Sequence, residues 1–311
     1  MKRVRRRHPV NYRSAKVRRE VLVRQRRELW TPEQVASLAG HFRLKPGKRL
    51  LDAGCGFGFA LRTWGPYCLP GGKLTGLDRD RKLLAQAARF CNKEGLGKAV
   101  RFVAGDICKI PFGSNVFDVA LAHVVFCHLA EPEKALDEMI RVTRRGGCVA
   151  VFDNALTGGP GSGWFSWHEP SVAERLAQYE VGIRMMAGRR AVGFGDYSVG
   201  CHLPSWMEAR GLRDVAVRVN ERVAWIAPPY FSLEQQATLR NMKESLKEKV
   251  RYRVDKSDVE QMRAGGLSRA KFDRNQQLSR EHLRAFRKAM KNGTAAFAVS
   301  HQFWCVWGFK P

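Results

Sequence analysis

The chain has 311 residues, 44% of them hydrophobic, which is enough to bury a full core; no apolar run reaches the roughly 18 residues that a membrane helix needs. Its 55 Lys and Arg against 29 Asp and Glu give a net charge of +26, a field that favours anionic partners and carries no information about fold. The eight cysteines stand singly, with no C-x-x-C pair and no Cys/His zinc spacing, so no metal and no disulfide framework is expected and the reading is a cytoplasmic protein.

In chain order, the first thirty residues hold twelve basic residues against Glu20 and Glu28. Residues 1–13 lack apolar periodicity and read as an arm, and no apolar stretch follows that would make them a secretory signal. From Ser14 a basic helix is expected, with Val17, Val21 and Leu22 on one side. Thr31-Pro32-Glu33-Gln34 opens the next helix: Thr caps, Pro suits the first turn, and Gln at the third helical position completes a capping box.

An alternation follows that sets the fold class. Residues 48–52 read as a short strand ending in a glycine-rich loop, and 73–78 as a second strand. A helix comes next, with Leu83, Leu84, Ala87, Ala88 and Cys91 on one face and Gly95 as its stop. Strands are expected at 101–104, 116–122 and 148–152. Between the last two, a helix starts at Pro132 and carries Arg144 and Arg145 at its negative end. Strands alternating with helices of this length imply an α/β doubly wound, mostly parallel sheet with right-handed crossovers. After Asp153 the rhythm breaks. Residues 154–170 are glycine-rich and aromatic, a helix is expected at 203–210, a sixth strand at 214–219, charged helices at 232–291 and a strand-like end at 296–309. The domain reading is a basic arm and helix at 1–30, a core at 31–230 with 292–311, and a helical insertion at 231–291.

The informative segment is Leu50-Leu51-Asp52-Ala53-Gly54-Cys55-Gly56-Phe57-Gly58. Three alternate glycines after a buried strand let backbone approach a ligand beside a helix N-terminus. A dinucleotide fingerprint beginning at Gly54 would need glycine at 59, where Phe59 stands. Asp78 ends the second strand, where ribose hydroxyls want a carboxylate acceptor. Asp106-Ile107 follows the third strand, and Phe117-Asp118-Val119-Ala120 and Arg144-Arg145-Gly146-Gly147-Cys148 come later in order.

These motifs, over residues 48–153, resemble those of class I S-adenosylmethionine-dependent methyltransferases, most closely the small-molecule branch with the ubiquinone and menaquinone C-methyltransferases. The resemblance implies a Rossmann-like seven-stranded sheet with a reversed last strand and S-adenosylmethionine as cofactor. It implies that Asp52, Gly54, Cys55, Gly56 and Gly58 form the cofactor loop, that Asp78 and Arg79 lie at the ribose, and that Asp106 accepts from the adenine amino group while Ile107 packs on the ring. His123, at the end of the fourth strand, is the first candidate on the acceptor side, as base, orienter or cofactor contact. His128 reads as structural. Trp164, Phe165, Trp167 and His168 are expected to form a substrate lid, with Tyr197 and His202 on the rim of the same pocket, and His168 is the second catalytic candidate after His123.

Methyl transfer to a small organic acceptor, anionic or neutral, is the first functional reading. RNA methylation through the basic arm and insertion is the second: the usual Asn/Asp/Ser-Pro-Pro-aromatic pattern is absent after the fourth strand, where Ala122-His123-Val124-Val125 stands. A non-catalytic cofactor-binding scaffold is the third.

Overall fold

The computed structural model describes residues 30–156, 163–220, 223–233, 235–240, 254–300 and 303–311; the arm and helix expected before Trp30 lie outside them. The described residues divide into two units. One comprises 30–156, 194–220 and 303–311, and the other comprises 163–193 with the described part of 223–300.

The first unit is built on a seven-stranded sheet: β1 (Arg49–Ala53), β2 (Lys73–Asp78), β3 (Val100–Ala104), β4 (Phe117–His123), β5 (Thr143–Asn154), β7 (Arg213–Val219) and β10 (Phe303–Phe309). The order across it is β3-β2-β1-β4-β5-β10-β7. β1 to β5 pair in parallel, and β10 runs antiparallel between β5 and β7, which is the reversed last strand the sequence implies. Period-two alternation splits the core. Leu50, Leu74, Val119, Leu121, Ala150 and Phe152 face one layer; Leu51, Leu77, Ala120, Ala122, Val149 and Val151 face the other. Each fully buried Leu, Val or Phe contributes about 1.5–3 kcal/mol of transfer free energy.

Helices supply the covering layers. α1 (Pro32–His41) carries the expected capping box, with Thr31 Oγ1 accepting from the Gln34 N–H and Gln34 Oε1 from the Thr31 N–H. α2 (Phe59–Trp64) follows the glycine loop. α3 (Arg81–Lys93) buries Leu84, Ala87 and Cys91, and Asp80 caps it by accepting from Lys82 and Leu83 N–H. α4 (Pro132–Val142) buries Ala135, Leu136, Met139 and Val142. Lys310 seals its far end, its Nζ donating to the Ile140, Arg141 and Thr143 carbonyls.

The second unit holds β6 (Gly163–Phe165), α5 (Val172–Ala191), β8 (Val223–Ile226), α7 (Lys256–Ala264), α8 (Arg269–Asn292) and β9 (Phe297–Ser300); α6 (Leu203–Ala209) belongs to the first unit. β6, β9 and β8 form an antiparallel sheet in that order. Its inner side, with Phe165, Ile226 and Phe297, packs on Phe286 and Ala289 of α8.

The expected helical insertion at 231–291 falls wholly inside this unit, which also takes in 163–193, 223–230 and 292–300. The boundary moves because β6 and β8 both pair with β9, so segments on either side of the insertion share one hydrophobic cluster. Three further details differ from the sequence reading. The fifth strand starts at Thr143 instead of turning at Gly146-Gly147, the terminal run is two strands, and α5 was not anticipated.

Candidate cofactor and acceptor site

The glycine loop leaves β1 at the carboxyl end of the parallel strands and enters α2. Gly54, Gly56 and Gly58 take φ of +81°, +51° and +71°. At Gly54 a Cβ would stand 2.7 Å from the Val125 side chain, so the backbone here is committed to glycine both by torsion and by space. Asp78, at the end of β2, ties the loop down. Its Oδ2 accepts from the Gly56 N–H (2.9 Å) and its Oδ1 from the Asp80 N–H (2.9 Å). Each carboxylate oxygen keeps a second lone pair for a ligand hydroxyl. Arg79 is exposed beside it, Asp52 is buried under the loop, and burial pushes the Cys55 thiol well above its usual range.

Across the crevice, Asp106 is exposed after β3 and its Oδ1 accepts from the Cys108 N–H, while Ile107 is buried behind it. The loop after β4 forms the fourth side. Val124 holds φ +56°, an outlier for a β-branched residue. Asp153, fully buried at the end of β5, keeps that loop in place: its Oδ2 accepts from Val125 and Cys127 N–H, its Oδ1 from the Asn154 N–H. Burial drives the Asp153 carboxyl upward in pKa against those hydrogen bonds. The sequence reading missed this residue, whose signal was an acid standing directly after a buried strand.

These residues gather at the carboxyl edge of the open α/β sheet, where folds of this kind bind their ligands. A family model described as a methyltransferase domain matches residues 51–151, the segment from β1 through β5 that builds it. Residues 51–151 are a methyltransferase domain by this match. Cycloartenol-C-24-methyltransferase 1 of Oryza sativa subsp. japonica is 32% identical over 120 residues, covering 39% of this chain and 34% of the relative. Sterol 24-C-methyltransferase ERG6B of Gibberella zeae is 34% identical over 120 residues, 39% of this chain and 31% of the relative. The chain thus spans about a third of the length of these curated relatives. In fold, a putative methyltransferase from Bacillus halodurans aligns over 90% of this chain and 99% of its own, with a TM-score of 0.51 at 15% identity.

The residues of the methyltransferase domain fit S-adenosylmethionine, the cofactor of this class. The glycine-lined turn admits a chain close to backbone, Asp78 offers acceptors suited to two ribose hydroxyls, and Asp106 beside buried Ile107 suits an adenine with its amino group.

His123, expected on the acceptor side as base, orienter or cofactor contact, is enclosed at the end of β4. It is 2% exposed, and its Nε2 accepts from the Trp30 indole N–H at 3.1 Å. Phe59, Trp64, Phe152 and Trp30 surround its ring. A ring nitrogen engaged by an indole and enclosed by aromatics is poorly placed to collect a proton from an acceptor. Trp30, another residue the sequence reading passed over, sits just before the Thr31 cap.

The expected acceptor residues divide between the units. Tyr197 belongs to the first, edge-on to His128 at 5.9 Å, and His202 stacks on Trp206 there. Trp164, Phe165, Trp167 and His168 belong to the second. Trp164 is 48% exposed and stacks on Trp225 across the small sheet. Phe165 and Trp167 turn inward onto His282 and Phe286, and His168 meets His282 edge-on. Trp167 is therefore a packing residue of the second unit's core, because its ring lies 4.6 Å from that of Phe286 and 5.8 Å from that of Phe297.

Proposed function

We propose that this chain transfers the methyl group of S-adenosylmethionine to a carbon of a small, largely apolar organic acceptor in the cytoplasm. The observation that carries the reading is the crevice built by Gly54, Gly58, Asp78 and Asp106 within a matched methyltransferase domain, joined to relatives whose names specify sterol carbon acceptors. When bound, the sulfonium would supply an electrophilic methyl and leave as the neutral thioether, and the acceptor would give up one proton to water.

The chain's own work is then chiefly positioning. Asp78 and the glycine turn hold the cofactor's ribose and tail, and Asp106 with Ile107 holds its base. His123, held by Trp30, acts in this reading as a wall that fixes the end of β4. Tyr197, with a hydroxyl at the end of an apolar body beside His128, is the acceptor-contacting residue we propose. An apolar acceptor suits such a lining better than RNA does, and the arm at 1–13 is then dispensable for turnover.

The test is calorimetry with S-adenosylhomocysteine, followed by product analysis by mass spectrometry on a panel of isoprenoid and sterol acceptors and on an RNA pool. The expected result is cofactor binding that Asp78→Ala weakens about 10- to 100-fold, the size of one or two lost charged hydrogen bonds, and a mass gain of one methylene on an apolar acceptor. Methylated RNA, lost on deleting 1–13, would overturn the acceptor class. Cofactor binding without any methylated product from any acceptor would leave a scaffold.

A further inference from the structure

A cavity of about 430 Å³ opens in the first unit at the other end of the sheet, where β1, β4 and β5 begin and β10 ends. It lies at the opposite strand ends from the glycine loop. Phe42, Leu44, Val119, Cys148 and Phe309 make its apolar wall, and its charged lining is Arg43, Lys45, Lys48 and Arg144 with a single acid, Asp118.

That acid is already paired with two cations. Lys48 Nζ donates to its Oδ1 at 3.0 Å and Arg144 Nε at 2.6 Å, while the Arg49 N–H donates to Oδ2 at 2.9 Å. Two full positive charges therefore share one carboxylate, and the pair keeps a surplus positive charge. Arg43 lies with its guanidinium 3.8 Å over the Phe309 ring, and its nearest carboxylate, on exposed Asp214, is 4.0 Å away. Lys45 has no ion-pair partner among the described residues. The cavity is thus apolar on one side and strongly cationic on the other, in a size range that holds small ligands. A guanidinium fork beside ammonium groups matches phosphate oxygens in both geometry and charge.

We propose that this cavity binds an organic phosphate, with the phosphate among Arg43, Lys45 and the Lys48–Arg144 pair and the apolar group against Leu44 and Phe309. The site stands apart from the cofactor crevice and does not depend on the acceptor assigned above. Its ligand is either a free phosphorylated metabolite or the headgroup of an anionic lipid, which present the same chemistry.

The experiment measures binding of phenyl phosphate, inorganic phosphate and phosphatidic acid in phosphatidylcholine vesicles to the full chain at fixed ionic strength. Wild type is compared with the R43Q/K45E double variant, both changes being at exposed positions. Saturable binding is expected, tighter for phenyl phosphate than for inorganic phosphate, and at least tenfold weaker in the variant, with S-adenosylhomocysteine affinity and circular dichroism unchanged. Binding to vesicles alone would assign the lipid headgroup; binding to phenyl phosphate would assign the free metabolite. Absence of saturable binding to all three probes, or equal binding by the double variant, would overturn the proposal.

Discussion

At the scale of single residues, the crevice depends on a few groups whose neighbours are remote in sequence. Asp153 is the clearest. Replacing it with Ala leaves the Val125 and Cys127 N–H groups unpaired, and each such buried donor costs about 1–3 kcal/mol. Urea denaturation should show that loss, and cofactor affinity should fall with it, because Val125 packs under Gly54. His123 gives a second check. If it positions the end of β4, His123→Ala should lower stability by about 2–4 kcal/mol, in the range of other large buried-to-Ala changes, and Trp30→Phe should weaken it less. A catalytic base would behave otherwise: His123→Ala would then cut turnover by a factor of 10² or more at unchanged stability. The position of His123 at the end of a strand was legible in the sequence, as were Gly54, Gly56, Gly58, Asp78 and Asp106. Its role was not, because its partner Trp30 lies 93 residues away and only the folded sheet brings the two rings together.

At the scale of elements, local signals were reliable wherever a cap and a period coincided. The Thr31 capping box is one case; Thr31→Ala should cost about 1 kcal/mol, measured by the same denaturation. The helix α5 is the contrary case. Its capping box at Ser171 and Glu174 is as good, yet Val172, Leu176, Tyr179 and Ile183 are exposed, so its apolar period does not mark a buried face. The three short strands of the small sheet were illegible for another reason. Each is three or four residues long and acquires its strand character only by pairing across many intervening residues.

α4 yields a pH prediction. Arg141 hydrogen bonds hold the Glu138 carboxyl below its usual range, against the opposing effect of burial, while Ile110 N–H also donates to it. A carboxylate depressed in the folded state adds stability that is full above the unfolded pKa and lost as pH falls through the folded one. Stability should therefore decline with acid below about pH 4.5, and the Glu138→Gln variant should show a shallower decline over the same window.

At the scale of the whole molecule, charge and fold carry separate information. The +26 net charge suggested an anionic partner without saying where, and only the structure shows four cations gathered around a single, already paired acid at the far end of the sheet. The doubly wound core from β1 to β5 was legible almost element by element, since parallel strands buried on both faces write themselves as short apolar runs. The second unit was only partly legible, because its core is assembled from segments on both sides of residues 194–220 of the first unit. It has a pH response of its own. Burial, assisted by the neighbouring His168, lowers the His282 pKa, so the unfolded chain takes up that proton first. Stability of this unit should fall as pH drops below about 6.5 towards the folded value. His282→Phe should flatten the response, read by hydrogen exchange of α8 amides.

All eight cysteines lie in the first unit and none in the second. Cys55, Cys68, Cys91, Cys127, Cys148 and Cys305 are buried, and desolvation raises the Cys68 and Cys91 thiols to about 11. Cys108 and Cys201 are only partly covered, but both are raised as well, Cys108 to about 11. Since the thiolate is the form that reacts, alkylation in native buffer must wait for the core to open. The sulfur atoms are thus a set of internal clocks for the methyltransferase core alone. Quenched iodoacetamide labelling with peptide mapping would time the release of the strands β5 and β10 through Cys148 and Cys305.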